Sequence, residues 1–138
     1  MLNKTNADTV AFVQQIINQC EALGLYLEWN TGSFSIKLPD PQGSGLKIGI
    51  LNIDRSGQVY LGYSKGQFEK LQLPPAIAHR FASNTATLLH HVQPRSNKPQ
   101  LWNRPVSLHE IRQVYPRFHA CMNQYIAEIT QHLQQTKE

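Results

Sequence analysis

At Gly24 the spacing of apolar residues changes from helical to alternating, and that change decides the fold class. Before it, Val10, Val13, Ile16, Ile17, Cys20 and Leu23 recur every three or four residues, as one face of a helix requires. Thr5 and Asn6 are good N-cap types and Asp8 suits the positive end of the helix dipole, so a helix is predicted from near Asn6. Gly24 ends it, because glycine takes the left-handed conformation that closes helices. After Gly24, Leu25, Leu27 and Trp29 alternate with Tyr26 and Glu28. Beyond an Asn-Thr-Gly turn, Phe34, Ile36 and Leu38 alternate with Ser33, Ser35 and Lys37, which predicts a hairpin with one apolar face.

The breaker-rich loop PDPQGSG, residues 39 to 45, leads into LKIGILNI and, after DRSG, QVYLGY. A second hairpin around a type I turn with a glycine bulge follows. Gly49 and Gly62 fall inside these strands, where glycine weakens a sheet unless something must come close. Tight packing on that face is the preferred explanation; a ligand pocket beside Tyr60 and Tyr63 is the other. GYSKGQF, residues 62 to 68, places two glycines around a lysine but lacks the order of a phosphate loop, and it reads as the loop leaving the hairpin.

Leu73-Pro74-Pro75 starts a middle helix whose stripe of Ile77, Phe81, Leu88 and Val92 carries it through residue 92. Ser107-Leu108-His109-Glu110 is a capping box, with Val106 placed to staple against Ile111. From there Leu108, Ile111, Tyr115, Phe118, Met122, Tyr125, Ile129 and Leu133 keep one apolar stripe. Pro116 interrupts it, so the chain either kinks or changes helix near Tyr115. The predicted fold is α+β: a four-stranded antiparallel β-meander packed against an N-terminal helix, a middle helix and a long, proline-interrupted C-terminal helix. A length of 138 residues suits one domain over 1–138, with 1–5 and 134–138 as frayed ends.

Charge is distributed unevenly. Residues 1–69 hold five Lys/Arg against six Asp/Glu, and residues 118–138 one against two, so each segment nets minus one. Residues 70–117 hold Lys70, Arg80, Arg95, Lys98, Arg104, Arg112 and Arg117 against Glu110 alone, a net of plus six. Such a segment creates a field that attracts phosphates or carboxylates. Its centre is HHVQPRSNKPQLWNRP, residues 90–105, where prolines at 94, 99 and 105 suit a stiff connector. Arg80, Arg95, Lys98 and Arg104 are the candidate anion contacts, and Trp102 the candidate stacking ring for an unpaired base. The alternative for Trp102 is that it pins the loop to the core.

Catalytic and metal motifs are sparse. His90 and His91 are adjacent and diverge by about 100° on a helix, and His109 with Glu110 diverges likewise. His119 and Cys121 also diverge, so no metal or cofactor is implied. Ser, His and Asp are too scattered to nominate a triad. Glu28, Asp40 and Lys47 offer the one hydrolytic alternative. With the order helix, strands, helix, Pro39-Asp40 is similar to the Pro-Asp of restriction-endonuclease-like folds, which imply a magnesium-dependent nuclease. Those folds place an acid two positions before a lysine on the next strand. Gly45-Leu46-Lys47 lacks that acid, and the chain is not assigned to that family.

Cys20 and Cys121 form no CxxC and fall on apolar helix faces, as buried thiols do. No apolar run is long enough to span a membrane and no signal peptide is evident, so a cytoplasmic protein is expected. If the sheet leaves Tyr115, Phe118 and Tyr125 uncovered, a second copy must cover them, which predicts a homodimer through the C-terminal helix. The functional expectation is a small non-catalytic binding or adaptor protein whose basic segment contacts a nucleic acid or an acidic protein. The rivals are the Glu28, Asp40 and Lys47 hydrolase and a purely structural oligomerisation subunit.

Overall fold

The N-terminal stripe folds as predicted into helix α1, Ala7–Ala22, which buries Phe12, Val13, Ile16 and Cys20. These coordinates are a computed structural model describing residues 7–40 and 43–137. The caps expected at Thr5 and Asn6 therefore lie outside the described residues, as do residues 1–5. Gly24 follows with φ of +84°, the left-handed conformation the stop signal requires.

Four strands then run as a meander: β1, Tyr26–Asn30; β2, Ser33–Pro39; β3, Lys47–Asp54; and β4, Gln58–Leu61. A fifth, β5, Val106–Ser107, pairs with Gln58 and Val59 of β4, so the sheet has five antiparallel strands in the order β1-β2-β3-β4-β5. The expected meander is thus present and extended by one short strand. Val106 is buried by that pairing with Val59.

Strict alternation fails in β3, and a bulge explains it. The register passes from Ile36 opposite Leu51 to Lys37 opposite Gly49, leaving Ile50 as the extra residue. Ile48, Leu51 and Ile53 thereby share the buried face with Leu38, Ile36 and Phe34, although they are not evenly spaced in sequence. The opposite face carries a polar row across four strands: Glu28, Ser35, Asn52 and Tyr60.

Gly49 and Gly62 are explained by close approach of backbone to backbone. A Cβ on Gly49 would lie 2.5 Å from the Gly62 carbonyl oxygen, and one on Gly62 would lie 2.7 Å from the Gly49 carbonyl carbon. The Gly62 N–H donates to the Ile50 carbonyl at 2.9 Å, so this contact is also a sheet hydrogen bond.

GYSKGQF departs from the expected loop. Ser64 caps a short helix, α2, Lys65–Lys70, with its hydroxyl accepting from the Gln67 N–H. The Gln67 side chain in turn accepts from the Gly49 N–H at 3.0 Å, beyond the end of β4. The middle helix, α3, Pro75–Ala86, begins at the prolines but stops before residue 92. Thr85 and Thr87 turn their hydroxyls back onto Phe81, Ala82 and Asn84 carbonyls, which competes with further helix.

The capping box forms as predicted. Ser107 accepts from the Glu110 N–H, and the Glu110 carboxylate accepts from the Ser107 N–H, starting α4, Leu108–Gln113. After Val114 comes α5, Tyr115–Lys137, so Pro116 sits in a first turn and two helices meet at Tyr115. Helix α5 runs through Lys137.

One core joins α1, the sheet and the later helices. Tyr115, Phe118, Met122, Tyr125, Ile129 and Leu133 are all buried within the chain. Phe81 of α3 stacks on Tyr125 with centroids 4.3 Å apart, and Phe12 of α1 meets Tyr115 edge-on at 5.1 Å. The stripe that would have required a second copy is therefore covered internally. Among the described residues no helix is long and apolar enough to cross a membrane.

Candidate functional site

Residues 90–105 form an ordered arm. The Asn103 N–H donates to the Gln93 carbonyl and the Arg95 N–H to the Leu101 carbonyl, both at 2.8 Å, while Pro94 and Trp102 form a bridge. The Leu101 N–H closes the tip on the Lys98 carbonyl at 2.9 Å. The prolines at the base and tip suit this narrow return.

Trp102 takes the structural role rather than the stacking one. Its side chain is only 6% exposed, its indole N–H donates to the Thr85 hydroxyl at 2.9 Å, and its ring packs near Phe118. A base needs an open ring face, and a ring this deeply buried has too little free surface to stack one, so Trp102 takes the alternative role of pinning the arm to the core.

Arg104 also turns inward. Its guanidinium donates to the Glu110 carboxylate at 2.8 and 3.4 Å, to the His90 carbonyl at 2.6 Å and to the Pro105 carbonyl at 2.9 Å. One side chain thereby joins both ends of the arm to the α4 cap. The Arg104 hydrogen bond first, and the Ser107 N–H after it, lower the Glu110 carboxyl to about 2. On α3, Arg80 is neutralised by Glu128 of α5 at 2.6 Å, and its cleft is lined by α3 and α5 residues such as Ile77 and His132.

Arg95 and Lys98 are different. Both are exposed, and their side chains make no hydrogen bond or ion pair among the described residues. Arg95 and Arg104 line a cleft of about 220 Å³ with Tyr60, Leu61, Trp102 and Pro105. Lys98 and Lys65 line a neighbouring cleft with Tyr63, Phe68, Leu73 and Pro99. Leu101 borders both, so the clefts adjoin at the arm, and the first lies at the stretch of β4 that β5 leaves unpaired. Of the five candidate contacts, the fold brings Arg95, Trp102 and Arg104 to the first cleft and Lys98 to the second, and it places Arg80 elsewhere.

Tyr60, raised in the sequence only as the neighbour of a pocket with Tyr63 and not among the five anion or stacking contacts, lines the first cleft, and Tyr63 lines the second. Tyr60 is 39% exposed, and its hydroxyl donates to the Asp54 carboxylate at 3.2 Å. Burial first, and Asp54 after it, raise the Tyr60 hydroxyl above its ordinary range. Its alternation out of the apolar face was the available signal.

Of the hydrolytic candidates, the fold brings Glu28 and Lys47 into contact, and Asp40 is engaged in its own loop. Glu28 meets Lys37 at 3.0 Å and Lys47 at 3.4 Å, and these lysines, Lys37 foremost, lower its carboxyl. Lys47 also lies over the Tyr26 ring. Asp40 is buried in its own loop, accepting from the Ser44 N–H at 3.3 Å. No group of three or more His, Cys, Asp or Glu is placed to share a metal ion among the described residues. Cys20 and Cys121 are free thiols, and burial, then Glu21, pushes Cys20 up to about 12, where it is a poor nucleophile.

The fold and site define an α+β domain with a five-stranded antiparallel sheet and a basic arm over one edge. No protein-family model, curated protein sequence or solved structure matches the chain.

Proposed function

We propose that this chain is a non-catalytic binding protein that holds an extended acidic ligand along the arm, with single-stranded nucleic acid as the best fit. Arg95 and Lys98 take the phosphates on the two sides of Leu101, and Tyr60 offers a ring face beside Arg95. The observation that carries this reading is the contrast among the four candidate cations, Arg80, Arg95, Lys98 and Arg104. Arg80 and Arg104 are consumed by Glu128 and Glu110, whereas Arg95 and Lys98 project unpaired from an arm that Trp102 fixes. A rigid arm loses little conformational freedom on binding, so its unpaired charges act at full strength.

The test is anisotropy of a labelled single-stranded oligonucleotide over a range of salt. Arg95→Gln with Lys98→Gln removes two phosphate contacts, which reduces the salt slope by about 1.4 and weakens binding roughly tenfold or more. Unchanged affinity in the double variant would sink the reading. Binding of an acidic peptide but of no oligonucleotide would assign the arm to a protein partner instead.

A further inference from the structure

The exposed tryptophan of this protein is Trp29. Alternation along β1 puts it on the apolar side of the sheet, opposite Phe34, and the two rings lie 4.9 Å apart. Phe34 is fully buried, yet Trp29 is 62% exposed, because β1 is the outermost strand and Trp29 stands near its end. Its ring leans on Phe34 and is otherwise largely exposed.

A cation stands beside it. Arg55, in the turn between β3 and β4, brings its guanidinium across the β1–β2 turn. A Cβ on Gly32 would lie 3.0 Å from Arg55 Nη2, and Gly32 has φ of +83°. The positive φ reserves that turn for glycine, and the missing Cβ lets the guanidinium lie against it. Arg55 is exposed and has no hydrogen-bonded or ionic partner among the described residues. Its neighbour Asp54 is engaged elsewhere, accepting from the Ser56 hydroxyl and N–H, the Gln58 N–H and the Tyr60 hydroxyl. Trp29, Asn30, Gly32, Ser33 and Arg55 together line a cleft of about 300 Å³.

We propose that this end of the sheet binds a nucleobase together with its phosphate, the base stacking on Trp29 and the phosphate accepting from the Arg55 guanidinium. Three features converge on that ligand class. Tryptophan gives a flat, sequence-tolerant stacking surface. An unpaired guanidinium recognises phosphate through two parallel donors. Asn30 and Ser33, opposite one another in the β1–β2 register, supply polar groups at the cleft wall. The site does not rest on the arm: Trp29 alternates onto the apolar side of the sheet, whereas Tyr60 beside the arm belongs to the polar row.

The two tryptophans make the test direct, because Trp102 is buried and Trp29 reports on bound rings. Intrinsic fluorescence of the full chain is titrated with adenosine monophosphate, a short single-stranded oligonucleotide, adenosine and inorganic phosphate. Saturable quenching is expected with the nucleotide or the oligonucleotide, and none with inorganic phosphate. A preference between the first two tells a free nucleotide from a strand. Arg55→Gln should weaken the quenching roughly tenfold, leaving adenosine no worse than before. Trp29→Ala should weaken binding of a labelled oligonucleotide or nucleotide read by anisotropy. Arg55 has no partner to lose among the described residues, and a urea melt of Trp29→Ala, whose ring packs on Phe34, checks that this variant is folded. Arg95→Gln with Lys98→Gln should leave Trp29 quenching by adenosine monophosphate intact, so failure here and failure of the arm reading are separable. Absence of saturable quenching would overturn the proposal, as would quenching indifferent to Arg55→Gln. Protection of Trp29 that grows with protein concentration, with a dimer in sedimentation, would assign the face to a second copy and overturn it equally.

Discussion

The indole nitrogen of Trp102 donates to the Thr85 hydroxyl across 2.9 Å, and both side chains are buried. Thr85 in turn donates toward the Phe81 carbonyl of α3, so the arm is tied to a helix through a relay of buried polar groups. Thr85→Val keeps the shape and removes the acceptor, stranding the indole N–H. A loss of about 1–3 kcal/mol is expected in urea unfolding. Trp102→Ala removes the ring as well and should cost about 3–5 kcal/mol. A change under about 0.5 kcal/mol in Thr85→Val would show that the tie does not hold the arm.

Arginine substitutions should separate by role. Arg95→Gln and Lys98→Gln break no contact within the fold, so each should leave stability within about 0.5 kcal/mol of the parent. Arg104→Gln removes the ion pair to Glu110 and the bonds to the His90 and Pro105 carbonyls, and should destabilise by about 1–3 kcal/mol. Thermal melts of the three variants decide it. Equal melting temperatures would mean that Arg104 is another exposed cation.

Glycine positions give an internal contrast. Gly49→Ala would drive a methyl against the Gly62 carbonyl oxygen at 2.5 Å, backbone that cannot swing aside. About 2–3 kcal/mol should be lost as β3 and the β4 exit separate. Gly66 lies in α2 with only the Ser64 Oγ at 3.9 Å, so Gly66→Ala has room and should be neutral or stabilising by up to about 1 kcal/mol. Denaturant midpoints measured side by side check both, and a destabilised Gly66→Ala would point to a role for α2 beyond packing.

Local signals were legible and distant ones were not. The Ser107 capping box, the Gly24 stop and the break at Tyr115 depend on residues within a few positions, so their patterns survive in sequence. β5 is two residues long and exists because Gln58 and Val59 lie alongside, a partnership no local pattern encodes. Arg80, Arg104 and Trp102 are engaged within the fold through the same kind of distant partnership. Arg80 found its acid 48 positions away, and Trp102 its acceptor 17 away, so a charge count could locate the basic segment but not say which members remained unpaired. Trp29 was placed on the apolar face by alternation, and its exposure follows from standing at the end of an outer strand.

The Glu110 carboxylate sets the acid limit of the arm. Arg104, and then the Ser107 N–H, hold it at about 2, below the ordinary 4.5. A carboxyl whose folded value is depressed stabilises the fold fully above its unfolded value, and that contribution is lost as pH falls toward the folded value. The loss therefore falls between about pH 4.5 and pH 2. The pair is about one-third exposed, so solvent screening reduces the contribution to about 1–2 kcal/mol. Glu110→Gln should flatten the pH dependence in that window and lower stability at pH 7, where the parent keeps the charge. Arg104→Gln should also flatten it, because Glu110 then returns toward its ordinary value. Urea midpoints collected from pH 7 down to 2.5 test both, and a Glu110→Gln variant that loses stability with acid as steeply as the parent would place the acid sensitivity at another carboxylate.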